Sequence, residues 1–134
     1  EMEALAVRGG EQGSGYPMEI VETAAGHLLD WRPLLPALLA DVQANVPVAI
    51  CAARFHAGLG GAVANLAQRL AEQNGLRTVA LSGGCFQNRL LLAQVISALE
   101  DAGLQVLWHR HVPCNDGGLS LGQAAVAAWR ERSS

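Results

Sequence analysis

Long helical patterns alternate along this chain with short apolar runs that close on glycine. From Val48 to about Gln73, Phe55, Leu59, Ala62, Leu66 and Leu70 recur at steps of three and four. That spacing predicts one long helix with an apolar stripe, stopped at Asn74-Gly75. Gly58, Gly60 and Gly61 interrupt it, each costing about 1 kcal/mol of propensity relative to alanine. Close packing against a neighbouring helix, or a kink, would account for them. Val79, Ala80 and Leu81 then read as a strand, Thr78–Ser82, that ends in a Ser-Gly-Gly turn. A second helix is expected from Asn88 to Ala102, with Leu92, Val95, Leu99 and Ala102 on one face and Gly103 as its stop. Gln105–Trp108 reads as the next strand. This β-α-β order implies two parallel strands joined by a right-handed crossover. A last helix is expected from about Gly117 to Arg130, with Leu121, Ala125 and Trp129 buried and Arg130 and Arg132 suited to its C-terminal end.

The first third is less regular. The chain opens on Glu1-Met-Glu-Ala-Leu-Ala, which reads as the end of a helix in a piece of a longer chain. Residues 8–17 read as a mobile Gly-rich linker, so 1–17 are taken as a helix remnant with a linker and 18–134 as the folded part. Met18–Glu22 and Gly26–Leu29 are expected to form a small hairpin. Asp30 can cap a helix that has Pro33 in its first turn and runs to about Ala44, where Asn45-Val46-Pro47 breaks the pattern.

Composition narrows the class. At 134 residues, 51% hydrophobic and 16% charged, the chain is globular and of a size for about one domain. A net charge of −3 gives no reason to expect nucleic acid or an anionic membrane as partner. No apolar run approaches the ~18 residues of a membrane span, so a cytoplasmic protein is expected. Cys51, Cys85 and Cys114 lie far apart without a C-x-x-C, which suggests neither a disulfide framework nor a zinc site.

Candidate chemistry collects at two turns, Ser82–Asn88 and Asn115–Gly118. Both are expected at the carboxyl ends of parallel strands and at helix starts, the edge where open α/β sheets bind ligands. Glycines there let a ligand approach the backbone, and N–H groups at a helix start favour an anion. Asp116 could be a plain helix cap or a ligand for a divalent metal that also touches phosphate. Asn88 could cap its helix, offer its amide to a ligand held over Gly83 and Gly84, or do both. His109 and His111 share a face of an extended segment, where a surface role outweighs a local metal site. His56 reads as a hydrogen-bonded, half-buried structural histidine, and His27 carries no signal. Cys85 stands near a helix start, a setting that can activate a thiol. No base stands at motif spacing, so it is read as a small residue filling the turn.

Two longer stretches carry a family resemblance. Ser82-Gly-Gly-Cys-Phe-Gln-Asn-Arg-Leu-Leu-Leu and Trp108-His-Arg-His-Val-Pro-Cys-Asn-Asp-Gly-Gly-Leu-Ser-Leu-Gly-Gln closely resemble the C-terminal end of the HypF family. Tyr16-Pro-Met-Glu-Ile and Ala53-Arg-Phe-His also match in the right order, so the resemblance covers essentially the whole chain. It implies a multidomain carbamoyltransferase of nickel–iron hydrogenase maturation. There, carbamoyl adenylate made from carbamoyl phosphate and ATP carbamoylates the C-terminal cysteine of a partner, HypE. It further implies the second half of an actin-like ATPase (ribonuclease H-like) domain, an α/β fold whose two halves flank a nucleotide cleft. By the same resemblance Ser82, Gly83, Gly84, Asn88 and Gly117 belong to the nucleotide site. Asp116, 28 residues beyond Asn88, matches a ligand of a divalent metal, with iron, zinc and magnesium not distinguished. The remaining ligands, histidines of the first half, lie outside this chain, and no residue of the chain itself is implied as catalytic. Cys85 and Cys114 depart from the family pattern, where a small apolar residue and proline are usual. Two alternatives stay open: an O-carbamoyltransferase or tRNA threonylcarbamoyl-transferase relative, or a non-catalytic module that docks a partner.

Overall fold

The computed structural model describes residues 1–10 and 14–132. Helix α1 (Met2–Gly9) leads to an antiparallel hairpin of β1 (Glu19–Thr23) and β2 (Gly26–Asp30), then α2 (Leu34–Gln43) and the long α3 (Val48–Gln73). Strand β3 (Thr78–Leu81), α4 (Arg89–Asp101) and β4 (Gln105–Trp108) follow, and α5 (Leu119–Arg132) ends the described chain. Strands β3 and β4 pair in parallel, Thr78 opposite Gln105 through Leu81 opposite Trp108, so the expected β-α-β unit is present.

Its core is built by α4. Leu91, Val95 and Leu99 are buried at steps of four and meet Leu81 of β3, Val106 of β4 and Ala64 of α3. The buried stripe therefore runs through Leu91, whereas Leu92 is only partly covered and Ala102 is exposed. With two adjacent leucines the sequence pattern admits either register. The helix stops are as expected: Gly75 and Gly103 take positive φ, and Leu76 and Leu104 donate back to Ala71 and Leu99.

Three readings change. Asp30 does not cap α2, which starts after a turn at Trp31–Pro33. Its carboxylate instead accepts from the Arg32 backbone at 3.0 Å and pairs with the Arg32 guanidinium at 2.7 Å. The close packing expected of the mid-helix glycines of α3 is present at two of them, whereas a Cβ on Gly61 would meet nothing within 4 Å. A Cβ on Gly58 would collide with the Tyr16 carbonyl, and one on Gly60 would press on Gln94 of α4. Gly15 is equally tight against the Gly58 backbone and the Tyr16 amide donates to the Arg54 carbonyl, so this part of the presumed linker is fixed to α3. Residues 11–13 of that stretch lie outside the described residues. Finally, the expected buried face of α5 is exposed, with Leu121 at 56% and Trp129 at 68% accessibility. Periodicity marks an apolar face but says nothing about what covers it.

Tyr16 closes this region chemically. Its hydroxyl donates to Asp41 Oδ2 at 2.7 Å, and Arg54 donates to the same oxygen. The Arg54 guanidinium, then the Tyr16 hydroxyl, holds the Asp41 carboxyl below the usual carboxylate range. A depressed carboxyl stabilises the fold above its unfolded pKa and loses that contribution as pH falls through its folded value. Urea unfolding is thus expected to show stability falling at acid pH, below about pH 4, and Asp41→Asn should remove that component of the slope.

Candidate active site

The parallel register of β3 and β4 places their carboxyl ends side by side, so the two following turns face each other. Ser82 and His109 are the next pair beyond Leu81 and Trp108, and Ser82 Oγ lies 2.9 Å from His109 Nε2. The Gly83 amide donates to the Cys114 carbonyl at 2.8 Å and ties the turns together. Between them is a cavity of about 470 Å³ lined by Ser82, Gly83, Gly84, His109, Cys114, Asn115, Asp116, Gly118 and Leu119. That volume suits a nucleotide-sized ligand. A larger groove of about 760 Å³ lies among α1, α3 and α4, but none of the residues read as site residues lines it.

The glycines of this cavity do different work. Gly83 has φ +109, a conformation that L side chains rarely adopt. Gly118 is sterically required, since a Cβ would collide with the Pro113 carbonyl. Gly84 is neither: its φ is ordinary and a Cβ would meet nothing within 4 Å. It begins a 3-10 turn, Gly84–Gln87, whose first N–H groups have no partner within the turn.

Asp116 opens a second 3-10 turn, Asp116–Gly118, but Asn115 is its cap. Asn115 Oδ1 accepts the Gly117 amide at 3.0 Å and its carbonyl accepts the Gly118 amide at 2.9 Å. The plain capping role therefore belongs to Asn115, and the Gly117 N–H is already engaged. The Asp116 carboxylate is exposed and has no hydrogen bond or ion pair among the described residues, a state that fits a hard cation. No group of three or more His, Cys, Asp or Glu that could hold a metal occurs among the described residues, so Asp116 could supply only one ligand. His111 is exposed outside the cavity lining. Cys85 is exposed as well, and it too stands outside the lining.

Asn88 lies outside that lining too. It is the N-cap of α4, where Oδ1 accepts the Leu91 amide at 3.0 Å, and Glu3 of α1 accepts the Leu90 amide at 3.1 Å. The start of α4 is thus capped by protein groups, and the N–H groups without a partner in their own turn are those that open Gly84–Gln87. Asn88 Nδ2 also lies 2.8 Å from His56 Nε2, and His56 is buried at 2% accessibility, deeper than expected. The Ser82–His109 and His56–Asn88 contacts were both hidden from sequence reasoning. Only the strand register could have signalled the first, and nothing local could signal the second, which spans 32 residues.

The β-α-β unit with ligand turns at one strand edge defines half of an actin-like α/β domain. The chain belongs to the family described as "Carbamoyltransferase, Kae1-like Domain, second subdomain", which matches residues 1–123. It is 40% identical over 108 residues to the carbamoyltransferase HypF of Synechocystis, covering 81% of this chain and 13% of that protein. A HypF homolog of Cupriavidus necator is 48% identical over 103 residues, covering 75% of this chain and 26% of that protein. A tRNA N6-adenosine threonylcarbamoyltransferase of Synechococcus is 34% identical over 85 residues, 63% of this chain and 23% of that protein. Full-length HypF, solved in a phosphate- and nucleotide-bound form, superposes with a TM-score of 0.84 at 34% identity over 94% of this chain and 16% of its own. The HypF of T. kodakarensis superposes at 0.75 with 26% identity, over 98% of this chain and 16% of its own. The chain therefore spans a minor share of the proteins it matches.

Proposed function

We propose that this chain forms one wall of the nucleotide cleft in a carbamoyltransferase that carries the carbamoyl group of carbamoyl adenylate to the C-terminal cysteine thiol of HypE. The observation that carries this reading is the cavity at the ends of β3 and β4, where Ser82, Gly83, Gly84 and Asp116 converge. In the transfer, the thiol sulfur forms a bond to the carbamoyl carbon. The bond from that carbon to the phosphate oxygen breaks, AMP leaves with the electron pair, and the thiol proton passes to solvent. An adenylate is already activated, so the protein's task is to position it and to stabilise charge. Ser82 and Gly84 offer their backbone to the nucleotide, and Gly83, whose N–H is engaged by the Cys114 carbonyl, contributes by lacking a side chain. Gly117 contributes by lacking a side chain, and Asn88 contributes an amide N–H. Asp116, together with ligands from outside this chain, would hold a divalent cation, which would supply charge neutralisation at a phosphate. The isolated chain is expected to show no turnover.

The test uses the full-length protein that carries this chain. Carbamoyl-phosphate-dependent carbamoylation of a HypE C-terminal peptide is compared between wild type and Asp116→Ala, with adenylate formation scored separately. Retained adenylation with lost transfer supports the reading; unchanged transfer would reduce this half-domain to scaffold. Gly84→Ala gives an independent check. Its melting should stay within about 0.5 kcal/mol of wild type, while nucleotide affinity falls roughly tenfold. Unaltered affinity would mean that no ligand approaches the backbone there.

A further inference from the structure

We infer that His56 is a positioning residue that sets the orientation of the Asn88 amide beside the cavity. The inference rests on the proposed contact between Asn88 and nucleotide. His56 Nδ1 lies 2.8 Å from the Ala52 carbonyl, one turn earlier in α3. A carbonyl only accepts, so Nδ1 carries the proton, and the other nitrogen of a neutral ring is an acceptor. That acceptor, Nε2, faces Asn88 Nδ2 at 2.8 Å. At its other end the Asn88 amide accepts the Leu91 N–H through Oδ1 at 3.0 Å. The hydrogen bonds therefore run in one direction, from Leu91 N–H into Asn88, from Asn88 into His56, and from His56 into the Ala52 carbonyl. Each end alone assigns the same amide orientation, and together they forbid the flip.

This chain of bonds decides what Asn88 can offer. One of its two amide hydrogens goes to His56, so a single N–H remains, in a direction fixed by a ring that is 2% exposed and edge-on to Phe55 at 5.8 Å between centroids. A donor that cannot rotate away loses little freedom when a ligand accepts from it. An apolar residue would fill the same volume in α3 but would leave the inner N–H of Asn88 unpaired and the amide free to reorient. Replacing the histidine should therefore be felt at the ligand and not only in stability.

The test compares His56→Gln with His56→Met in the full-length protein. These side chains are alike in length, but only glutamine offers Asn88 an acceptor. AMP binding is titrated by calorimetry at a temperature where circular dichroism shows every variant folded, and the component lost on Asn88→Ala defines this cleft. His56→Met should weaken that component about tenfold, the scale of one lost hydrogen bond. His56→Gln should stay within about threefold of wild type, less than half of that loss on the logarithmic scale. Adding His56→Met to Asn88→Ala should cost no further affinity. If His56→Met and His56→Gln bind alike, or if the methionine adds its full loss on the Asn88→Ala background, His56 does not act through Asn88, although Asn88 still binds nucleotide. If Asn88→Ala leaves AMP binding untouched, the nucleotide role of Asn88 fails first and this inference with it. A fold-independent readout is the imidazole 15N shifts of histidine-labelled wild type. They should report a neutral ring protonated at Nδ1, and the opposite tautomer overturns the inference.

Discussion

Asp116→Ala should abolish most carbamoyl transfer while leaving the fold intact, with a fall on the order of 100-fold or more, the scale seen when a charge-stabilising group is removed from a reaction centre. Two features make this a clean variant. Asn115 supplies the cap that Asp116 would otherwise have to supply, and the Asp116 carboxylate has no hydrogen bond or ion pair among the described residues. Melting should therefore move by no more than about 0.5 kcal/mol. The loss should appear in transfer to the HypE peptide and not in adenylate formation. Asn88→Ala is the less discriminating test of transfer. It removes the α4 cap at about 1 kcal/mol and leaves His56 Nε2 without its partner. A transfer defect in that variant mixes stability with contact. Equal transfer by wild type and Asp116→Ala would remove the metal role.

The contrast between Asp116 and Asn88 also marks what a one-dimensional reading can reach. The β-α-β unit was legible because its signals are local: a strand, a glycine stop and an apolar face at helical spacing. The hairpin and both glycine stops were legible for the same reason. The cavity could be anticipated from two turns at parallel strand ends, and four of the six expected site residues do line it. What could not be read depends on contacts between distant segments. Glu3 reaches the α4 amide of Leu90 across 87 residues, and His56 reaches Asn88 across 32. The glycines at 15 and 58 look like flexibility and a helix fault when each is read alone. Together they are a single backbone contact. On α5 the sequence records an apolar face, and periodicity alone could not tell that Leu121 and Trp129 would be exposed.

The threonylcarbamoyl relatives sharpen the functional question. Their likeness covers 63% of this chain in the Synechococcus protein, and the proposed cleft is compatible with either acceptor. The net charge of −3 on this chain gives no reason to expect a nucleic-acid acceptor. The HypE peptide assay separates the two acceptors directly.

Leu99→Ala should be among the most destabilising large-to-small changes in this chain. Leu99 is 0% exposed and stands where α4 meets both parallel strands, together with Val95, Leu81 and Val106. Truncating a fully buried leucine loses its transfer free energy and leaves a cavity, a combined cost of about 2–5 kcal/mol. A domain of this size has only about 5–15 kcal/mol of stability in total, so urea unfolding of the chain should move to a much lower midpoint. The site should feel the change through geometry. Residue 99 lies in the last turns of α4, and the Leu104 amide donates to the Leu99 carbonyl at 3.0 Å on the way into β4. Loosening there shifts β4 against β3, and the Ser82–His109 contact depends on that register. Leu99→Met, which keeps the volume, should cost less than about 1.5 kcal/mol and leave nucleotide binding intact. A midpoint for Leu99→Ala within 1 kcal/mol of wild type would mean that α4 is not the element holding the two strand ends together.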